Sequence, residues 1–282
     1  MISVFLQGGL GNQMFQIFAY LNFCIVTGDK IIIPKRKRDS FSAEGHPRGT
    51  YWENIFKKLK IFLTEDYSTI DKLPCYNEPF FHYYPLAKYP DTEYKFRGYF
   101  QSYKYFINTY EQILDMLNIR KMQKTIKEKY TYFLNDNTIS LHFRIGDYKN
   151  IQDSHPVLCN QYYINSLDAI IKKMNLDTLN VLVFFEEVDD KQIDIKIKIL
   201  KKKYKNINFI KIDYNIEDWE QLLLMSCCQH NIIANSSFSW WGAYLNNNKE
   251  KNVYYPDVWF GKKLKHNLKD LHPPSWIKIS NK

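Results

Sequence analysis

The 282-residue sequence contains few glycines, prolines and cysteines. Ten glycines and ten prolines exclude collagen-like and proline-rich linker architectures. The five cysteines form no C-x-x-C pair and no zinc-ligand spacing with the seven histidines, so we predict neither a disulfide framework nor a bound metal. So sparse a set is typical of reduced thiols in a cytosolic protein. The hydrophobic fraction of 45% excludes a disordered chain.

The sequence also lacks a long apolar run. The longest one, at 17–26, is interrupted by Asn22 and is too short to span a bilayer. Residues 1–9 contain no basic segment ahead of the apolar residues and so do not form a signal peptide. We therefore expect a soluble, cytoplasmic protein without a transmembrane segment.

Positive charge is in excess: 39 basic and 30 acidic residues give a net charge of +9. This balance favours an anionic partner, which could be nucleic acid, an anionic membrane or a phosphorylated small molecule. The basic runs at 34–39, 127–130 and 201–205 form no continuous stripe, which is typical of solvated surface. We therefore expect no nucleic-acid partner, and a weak peripheral membrane contact stays open.

Alternating strand and helix patterns predict an α/β fold in two halves. The first half has predicted strands at 2–6 and 30–33, a helix at 12–26 and a long helix at 109–133, with an irregular stretch at 39–106. The second half has predicted strands at 139–143, 181–185, 207–212, 231–234 and 252–255, with helices between them. A turn cluster at 135–137 marks the boundary, so we predict domains at 1–134 and 135–282, Rossmann-like and facing each other across a cleft.

Three segments carry candidate binding chemistry, and the first is the glycine-rich turn "QGGLGNQMFQ" at 7–16. Glycines between a strand and a helix let backbone N–H groups approach a phosphate. The dinucleotide fingerprint would need glycine where Met14 stands, and no Gly-Lys-Ser/Thr follows for a P-loop. A plain tight turn is the structural alternative.

The second segment is "LHFRIGDY" at 141–148, where a predicted strand ends. Strand alternation puts His142 and Arg144 on the same face. An arginine fork suits a pyrophosphate and would stabilise the charge that develops on a leaving nucleoside diphosphate. The alternative is a buried ion pair between Arg144 and Asp147.

The third segment is "IIANSSFSWWGAYL" at 232–245, with three serines between a strand and a helix. Ser236 or Ser237 is the expected N-cap, and the N–H groups and hydroxyls there could hold a second phosphate. Ordinary capping is the alternative. The aromatic stretch "FRGYFQSYKYF" at 96–106 could either pack in the core or form a stacking platform for a sugar or a nucleic acid.

Four strings in one order, "GGLGNQMFQIFAY", "GYFQSYKYF", "HFRIGDY" and "NSSFSWWGAYL", resemble the inverting α-1,2-fucosyltransferases of glycosyltransferase family 11. The resemblance implies a GT-B-like fold and transfer of L-fucose from GDP-β-L-fucose to O2 of a terminal galactose on a glycan acceptor. It also implies inversion, and no metal or other cofactor. The absence of a D-x-D pair agrees with a reaction that needs no metal. Asp189 and Asp190 are adjacent in the sequence and are predicted to cap a helix.

The resemblance assigns site residues one by one. The arginine of the family's H-x-R motif corresponds to Arg144. The residues expected to bind the nucleotide sugar are Gly9, Gly11, Asn12, His142, Arg144, Ser236, Ser237 and Ser239. The general base is open between Asp147, Asp153 and His155, because an inverting transfer needs a carboxylate or histidine beside the acceptor hydroxyl. Relatives often have a second basic residue where this chain has Ile145.

Two alternatives differ from the fucosyltransferase. A related glycosyltransferase with another deoxysugar donor or linkage would keep the fold, and the Ile145 departure motivates it. A basic nucleic-acid-binding protein would use the charge of +9 and would show a steeply salt-dependent affinity.

Overall fold

The computed structural model describes residues 1–35, 40–41, 47–89, 92–135, 137–174 and 178–282, with the backbone alone at 40–41 and 47–48. Most of the basic run at 34–39, and Asp136 of the predicted boundary, lie outside these residues. The chain divides into two compact units, residues 1–121 with 266–273 and residues 122–265 with 274–282. The division thus falls at 121/122, where the sequence analysis has 134/135, and the predicted facing of the two domains stays a prediction.

The first unit contains a parallel sheet in the order β1-β7-β6. Its strands and helices are β1 (Ile2–Val4), α1 (Leu10–Thr27), β2 (Ile33–Pro34), β3 (Ser40–Phe41), β4 (Pro47–Arg48), β5 (Leu63–Thr64), α2 (Tyr67–Lys72), β6 (Cys75–Asn77), β7 (Tyr94–Arg97) and α3 (Tyr110–Leu117), and α4 (Ile119–Lys129) continues into the second unit. No helix among the described residues is long and apolar enough to cross a membrane.

The strand predicted at 30–33 is shorter than expected and pairs elsewhere. β2 pairs with β5 in its own small ladder, and β1 pairs with β7. A side chain of α1 bridges the two: the Tyr20 hydroxyl donates to the Ile2 carbonyl and accepts from the Ile32 N–H, both at 2.9 Å. A buried phenol thus satisfies backbone groups that a continuous ladder would otherwise pair.

The stretch at 39–106 is more regular than its sequence predicts, since it contains β7, the central strand of the sheet. β7 includes Lys95, which is buried. The Lys95 ammonium donates to the carbonyl oxygens of Ile70 at 3.0 Å and Asp71 at 2.7 Å, at the end of α2. Because this buried position is a lysine that caps a helix, the hydrophobicity pattern of the sequence does not indicate a strand here.

The long helix predicted at 109–133 is two helices. Asn118 separates α3 from α4 and adopts a left-handed conformation with φ of 63°. Its N–H donates to the carbonyl oxygens at the end of α3, as in other helix C-caps, and asparagine tolerates this conformation better than most residues.

A buried carboxylate fixes the turn after β7. One carboxylate oxygen of Glu78 accepts hydrogen bonds from the N–H groups of Tyr99 at 2.8 Å and Phe100 at 3.0 Å. A Cβ at Gly98 would lie only 2.4 Å from the Glu78 Cβ, so the close approach requires glycine there. Burial raises the pKa of Glu78 to about 7, against the opposing effect of the two N–H groups.

This pKa predicts a pH-dependent stability. The folded pKa lies above the ordinary value of 4.5, so the stabilising effect of the protonated form is complete below pH 4.5 and is lost as the pH rises through 7. The difference is at most about 3 kcal/mol. Glu78→Gln mimics the protonated acid, so its melting temperature relative to wild type should rise between pH 5 and pH 8. A constant difference across that range would contradict the account.

The second unit is built on a parallel sheet in the order β10-β9-β8-β11-β12-β13. Its elements are β8 (Thr138–His142), α5 (Asn160–Met174), β9 (Leu179–Phe184), α6 (Asp190–Lys203), β10 (Ile207–Lys211), α7 (Asp218–Ser226), β11 (His230–Ile232), α8 (Ser237–Leu245), β12 (Val253–Pro256) and β13 (Ile277–Ile279). The predicted α/β class with parallel sheets is therefore confirmed, and β13 is a strand that the sequence analysis missed.

Side chains along β8 and the residues after it alternate between an apolar and a polar environment. The odd positions Ile139, Leu141, Phe143 and Ile145 belong to the hydrophobic core that includes side chains of α5 and α6. On the even side, Ser140 accepts a hydrogen bond from the Asn231 amide at 2.7 Å. The strand thus delivers its polar positions, ending in His142, at the carboxyl edge of the sheet.

Candidate functional site

The candidate site lies where three neighbouring parallel strands of the second unit end. β9, β8 and β11 are adjacent in the sheet, so their carboxyl ends meet at one edge. From β8 the chain proceeds outward through β9 and β10, then returns to the other side of β8 at β11. Ligands of open α/β sheets bind at the carboxyl edge, at such a reversal of strand order.

Arg144, just after β8, is the cation at this edge. Its guanidinium pairs with two carboxylates, Glu186 after β9 and Asp147 in its own loop, and lies over the Tyr148 ring at 4.9 Å from the centroid. Burial lowers the Arg144 pKa, but Glu186, Tyr148 and Asp147 raise it more, so the net shift is upward. Arg144 is therefore charged at any working pH, and the predicted pair with Asp147 is present.

Asp189 holds the loop that carries Arg144. Its side chain is only 1% exposed, and one oxygen accepts from the Gly146 N–H at 2.7 Å while the other pairs with the Lys149 ammonium at 2.7 Å. Asp189 is the N-cap residue of α6 and Asp190 lies in its first turn, as predicted, but the Asp189 side chain makes no hydrogen bond to the helix. The strand order explains this: Asp189 follows β9, the neighbour of β8, so it reaches the loop after β8.

Neighbouring aspartates provide a matched test of that anchor. Asp189→Asn should destabilise the protein by about 2 kcal/mol, because it weakens a buried charged hydrogen bond. It should also lower kcat/KM by up to about 10²-fold through displacement of Arg144. Asp190→Asn is the control, since Asp190 is a partly exposed partner of Lys211, and its cost should stay below about 1 kcal/mol. Equal effects of the two variants in melting and turnover assays would contradict the anchoring role.

His142 ends β8 as a buried, neutral imidazole. Its Nδ1 atom is buried and has no hydrogen-bond partner. Burial, and then the charge of Arg144, lower the His142 pKa to about 3. A neutral ring with a free nitrogen can donate or accept a hydrogen bond with a ligand, but it carries no positive charge that would attract a phosphate.

Ile145 points away from the arginine. Its side chain is 1% exposed and belongs to the hydrophobic core beneath the sheet. Ile145 therefore faces the core and not the ligand edge, so its difference from the basic residue of relatives gives no support for a different sugar donor.

The serine turn follows β11 and begins α8. Ser236 is the N-cap, and its hydroxyl accepts from the Phe238 N–H at 3.3 Å. Ser239 is buried, and its hydroxyl accepts from the Ala234 N–H at 3.2 Å and donates to the Ser236 carbonyl at 3.4 Å. Ser239 therefore shapes the turn, while Ser237 is partly exposed at its tip. Phosphate contacts of the three serines stay a prediction.

Asn235 connects the loops at this edge, and the sequence analysis did not single it out. Its amide donates to the carbonyl oxygens of Pro156 at 2.9 Å and Trp259 at 3.2 Å, and its own carbonyl accepts from the Tyr148 hydroxyl at 3.2 Å. The Asn235 Oδ1 atom is buried without a hydrogen-bond partner. The position of Asn235 directly before the serines is the feature of the sequence that could have identified it.

The three candidate bases have different surroundings. Asp147 is largely buried and pairs with Arg144. His155 stacks on Tyr148, with ring centroids 4.9 Å apart. Asp153 is exposed. Its backbone carbonyl oxygen would lie 2.3 Å from a Cβ at Gly261. The general base stays a prediction with all three candidates.

The glycine-rich turn belongs to the first unit. Gly8 has a positive φ of 78°, and a Cβ there would lie 2.5 Å from the Asn12 amide nitrogen, so glycine is required. Gly9 is the N-cap of α1 and has open space where a Cβ would be. Gly11 is buried in the first turn of α1.

Amide side chains brace this turn. The Gln13 amide donates to the carbonyl oxygens of Gly8 and Gly49, both at 2.9 Å, and the Gln101 amide donates to Asn12 at 2.8 Å. The Oε1 atom of Gln13 is buried without a hydrogen-bond partner. The turn is therefore a fixed, open backbone surface, and its predicted contact with a nucleotide stays a prediction.

A parallel α/β unit with an arginine and a serine turn beside a reversal of strand order is typical of ligand-binding proteins of the doubly wound class. Comparison with known families is more specific. The family described as Glycosyl transferase family 11 matches residues 1–280. The chain belongs to this family and is a glycosyltransferase.

Curated relatives are similar over nearly the whole chain. An α-1,2-colitosyltransferase of Escherichia coli is 28% identical and covers 97% of each chain. The O-antigen biosynthesis glycosyltransferase WbnK of Escherichia coli is 28% identical, over 97% of this chain and 99% of the relative. A galactoside 2-α-L-fucosyltransferase of Caenorhabditis elegans is 24% identical, over 99% of this chain and 79% of the relative.

Proposed function

We propose that this glycosyltransferase moves L-fucose from GDP-β-L-fucose to O2 of a terminal galactose on a glycan, with inversion at the anomeric carbon. The observation that carries the proposal is Arg144 at the carboxyl edge of β8, beside the reversal of strand order. Family membership and the relative named for 2-α-L-fucosyl transfer support it.

The proposed chemistry needs charge stabilisation at the leaving group. When the bond to the sugar breaks, negative charge develops on the diphosphate, and a fixed guanidinium stabilises it most in the transition state. Two N–H groups of Arg144 contact carboxylates, and a guanidinium has five donors, so others remain for phosphate oxygens. A carboxylate or imidazole from Asp147, Asp153 or His155 would take the proton from the acceptor hydroxyl.

We propose that no metal takes part, because Arg144 and the serine turn would stabilise the negative charge of the diphosphate in place of a metal ion. Among the residues that the structure describes, no three His, Cys, Asp or Glu side chains are grouped to hold a metal ion. The decisive observation is turnover in EDTA, which should equal turnover with added Mg²⁺ or Mn²⁺.

A second candidate keeps the mechanism and changes the sugar. The relative named as an α-1,2-colitosyltransferase favours colitose, which lacks the 3-hydroxyl of fucose. Parallel assays with GDP-fucose and GDP-colitose against N-acetyllactosamine distinguish the two donors. Faster transfer from GDP-fucose, with an α-1,2 linkage in the product NMR spectrum, is the expected result, and exclusive use of GDP-colitose would contradict it.

A further inference from the structure

An aromatic segment of the first unit lies outside the site described above. Residues 80–84 read "FFHYY", five ring side chains in succession, in a stretch without regular secondary structure. Two of these rings pack into the unit. Phe81 stacks on His266 with centroids 4.7 Å apart, and Tyr83 contacts the edge of Tyr105 at 4.9 Å.

Phe80, His82 and Tyr84 contact one another, and Phe80 and Tyr84 are exposed. Phe80 is 50% exposed and Tyr84 is 47% exposed. Phe80 stacks on His82 with centroids 5.0 Å apart and an interplanar angle of 16°, and it meets Tyr84 edge-on at 5.6 Å. The result is a small, partly exposed aromatic surface, which we call the aromatic ladder (Phe80, His82 and Tyr84).

The backbone holds the aromatic ladder in place. The Tyr84 N–H donates to the Tyr105 hydroxyl at 3.2 Å. At the other end, Glu78 is hydrogen-bonded to the turn after β7. A surface that is ordered before it meets its ligand loses little conformational entropy on binding.

Two lysines are already paired, one close to the aromatic ladder in the sequence and one next to its partner Tyr105. Lys88, four residues after Tyr84, pairs with Asp29 at 3.0 Å. Lys104, next to Tyr105, pairs with Asp270 at 2.6 Å. A ligand with a phosphate would have to break these pairs, whereas a neutral ligand would not.

We propose that the aromatic ladder is a stacking surface for a neutral pyranose ring of the acceptor glycan, an inference that rests on the proposed function. A pyranose presents aligned C–H groups on one face, which pack against the negative face of an aromatic ring. The Tyr84 hydroxyl and the His82 imidazole can hydrogen-bond the ring hydroxyls. Aromatic walls with a few polar groups are typical of small-molecule sites.

The test measures glycan binding without catalysis. Saturation-transfer NMR and calorimetry would follow N-acetyllactosamine, with maltose as a second neutral glycan, in wild type, Phe80→Ala and Tyr84→Ala. Each variant should weaken N-acetyllactosamine by about tenfold and leave GDP binding within twofold. Phe80→Tyr should bind as wild type does. Ile61→Ala is the matched control, because Ile61 is an exposed apolar residue of the same unit, at 82% exposure, and should change nothing.

Several outcomes would overturn the proposal: wild type that binds no neutral glycan, variants that bind N-acetyllactosamine normally, or variants that lose GDP to the same extent. Ladder-dependent binding to phosphatidylcholine vesicles, with glycan binding unchanged, would overturn it in favour of a lipid surface. Ladder-dependent glycan binding without fucose transfer would support the stacking surface and refute the donor assignment, so the two failures are distinguishable.

Discussion

Arg144→Ala should lower kcat/KM by about 10³-fold or more, the effect of removing a fixed charge that stabilises a developing anion. Lys149 at the same edge is not expected to replace it, because Lys149 is held by Asp189. The measurement is GDP release from GDP-fucose in the presence of acceptor, with the melting temperature recorded in parallel. Near-normal turnover in a folded variant would refute the role of Arg144.

Two further variants separate phosphate binding from a purely structural ion pair. Arg120→Ala is the control for loss of an arginine, since Arg120 belongs to the first unit and pairs with Glu111 at 3.2 Å, and it should keep activity within about twofold. Glu186→Gln removes a negative charge that competes for Arg144. It should tighten GDP binding if the guanidinium meets phosphate. Unchanged or weaker GDP binding would favour the structural pair.

Ile145→Arg should destabilise the protein by about 4 kcal/mol or more, because it places a charge in the hydrophobic core. For a unit of this size that corresponds to a fall in melting temperature of about 10 °C. Ile145→Val is the control and should cost only about 1 kcal/mol. Thermal melts of the three proteins provide the comparison.

The opposite result at position 145 is equally specific. If Ile145→Arg kept the wild-type melting temperature and bound GDP more tightly, the side chain would face the ligand rather than the core. Donor choice would then again depend on this position.

The sequence predicts the second unit better than the first. In the second unit each strand from β8 to β11 is followed by a helix, and apolar periodicity locates every strand but β13. In the first unit β1 pairs with β7, which lies some ninety residues further along the chain, and β7 contains Lys95 and Arg97. A parallel pairing so distant, through a strand with two basic residues, has no local signature.

The candidate site was likewise predictable only in part. Alternation correctly puts His142 and Arg144 on the side opposite the core positions Phe143 and Ile145, and the motif contains both residues. The contacts of Glu186 and Asp189 with Arg144 and its loop were missed, because they depend on β9 lying next to β8, which is a fact of sheet order. The rule that carboxyl ends of parallel strands meet at one edge would have identified them once that order was known.

One measurement tests the central claim most directly: GDP release from GDP-fucose in EDTA, with and without N-acetyllactosamine, by wild type and Arg144→Ala. The account predicts release that rises with the acceptor in wild type and nearly disappears in the variant, although the variant stays folded. Release that is equal in both proteins, or wild type that neither turns over nor binds GDP, would contradict it.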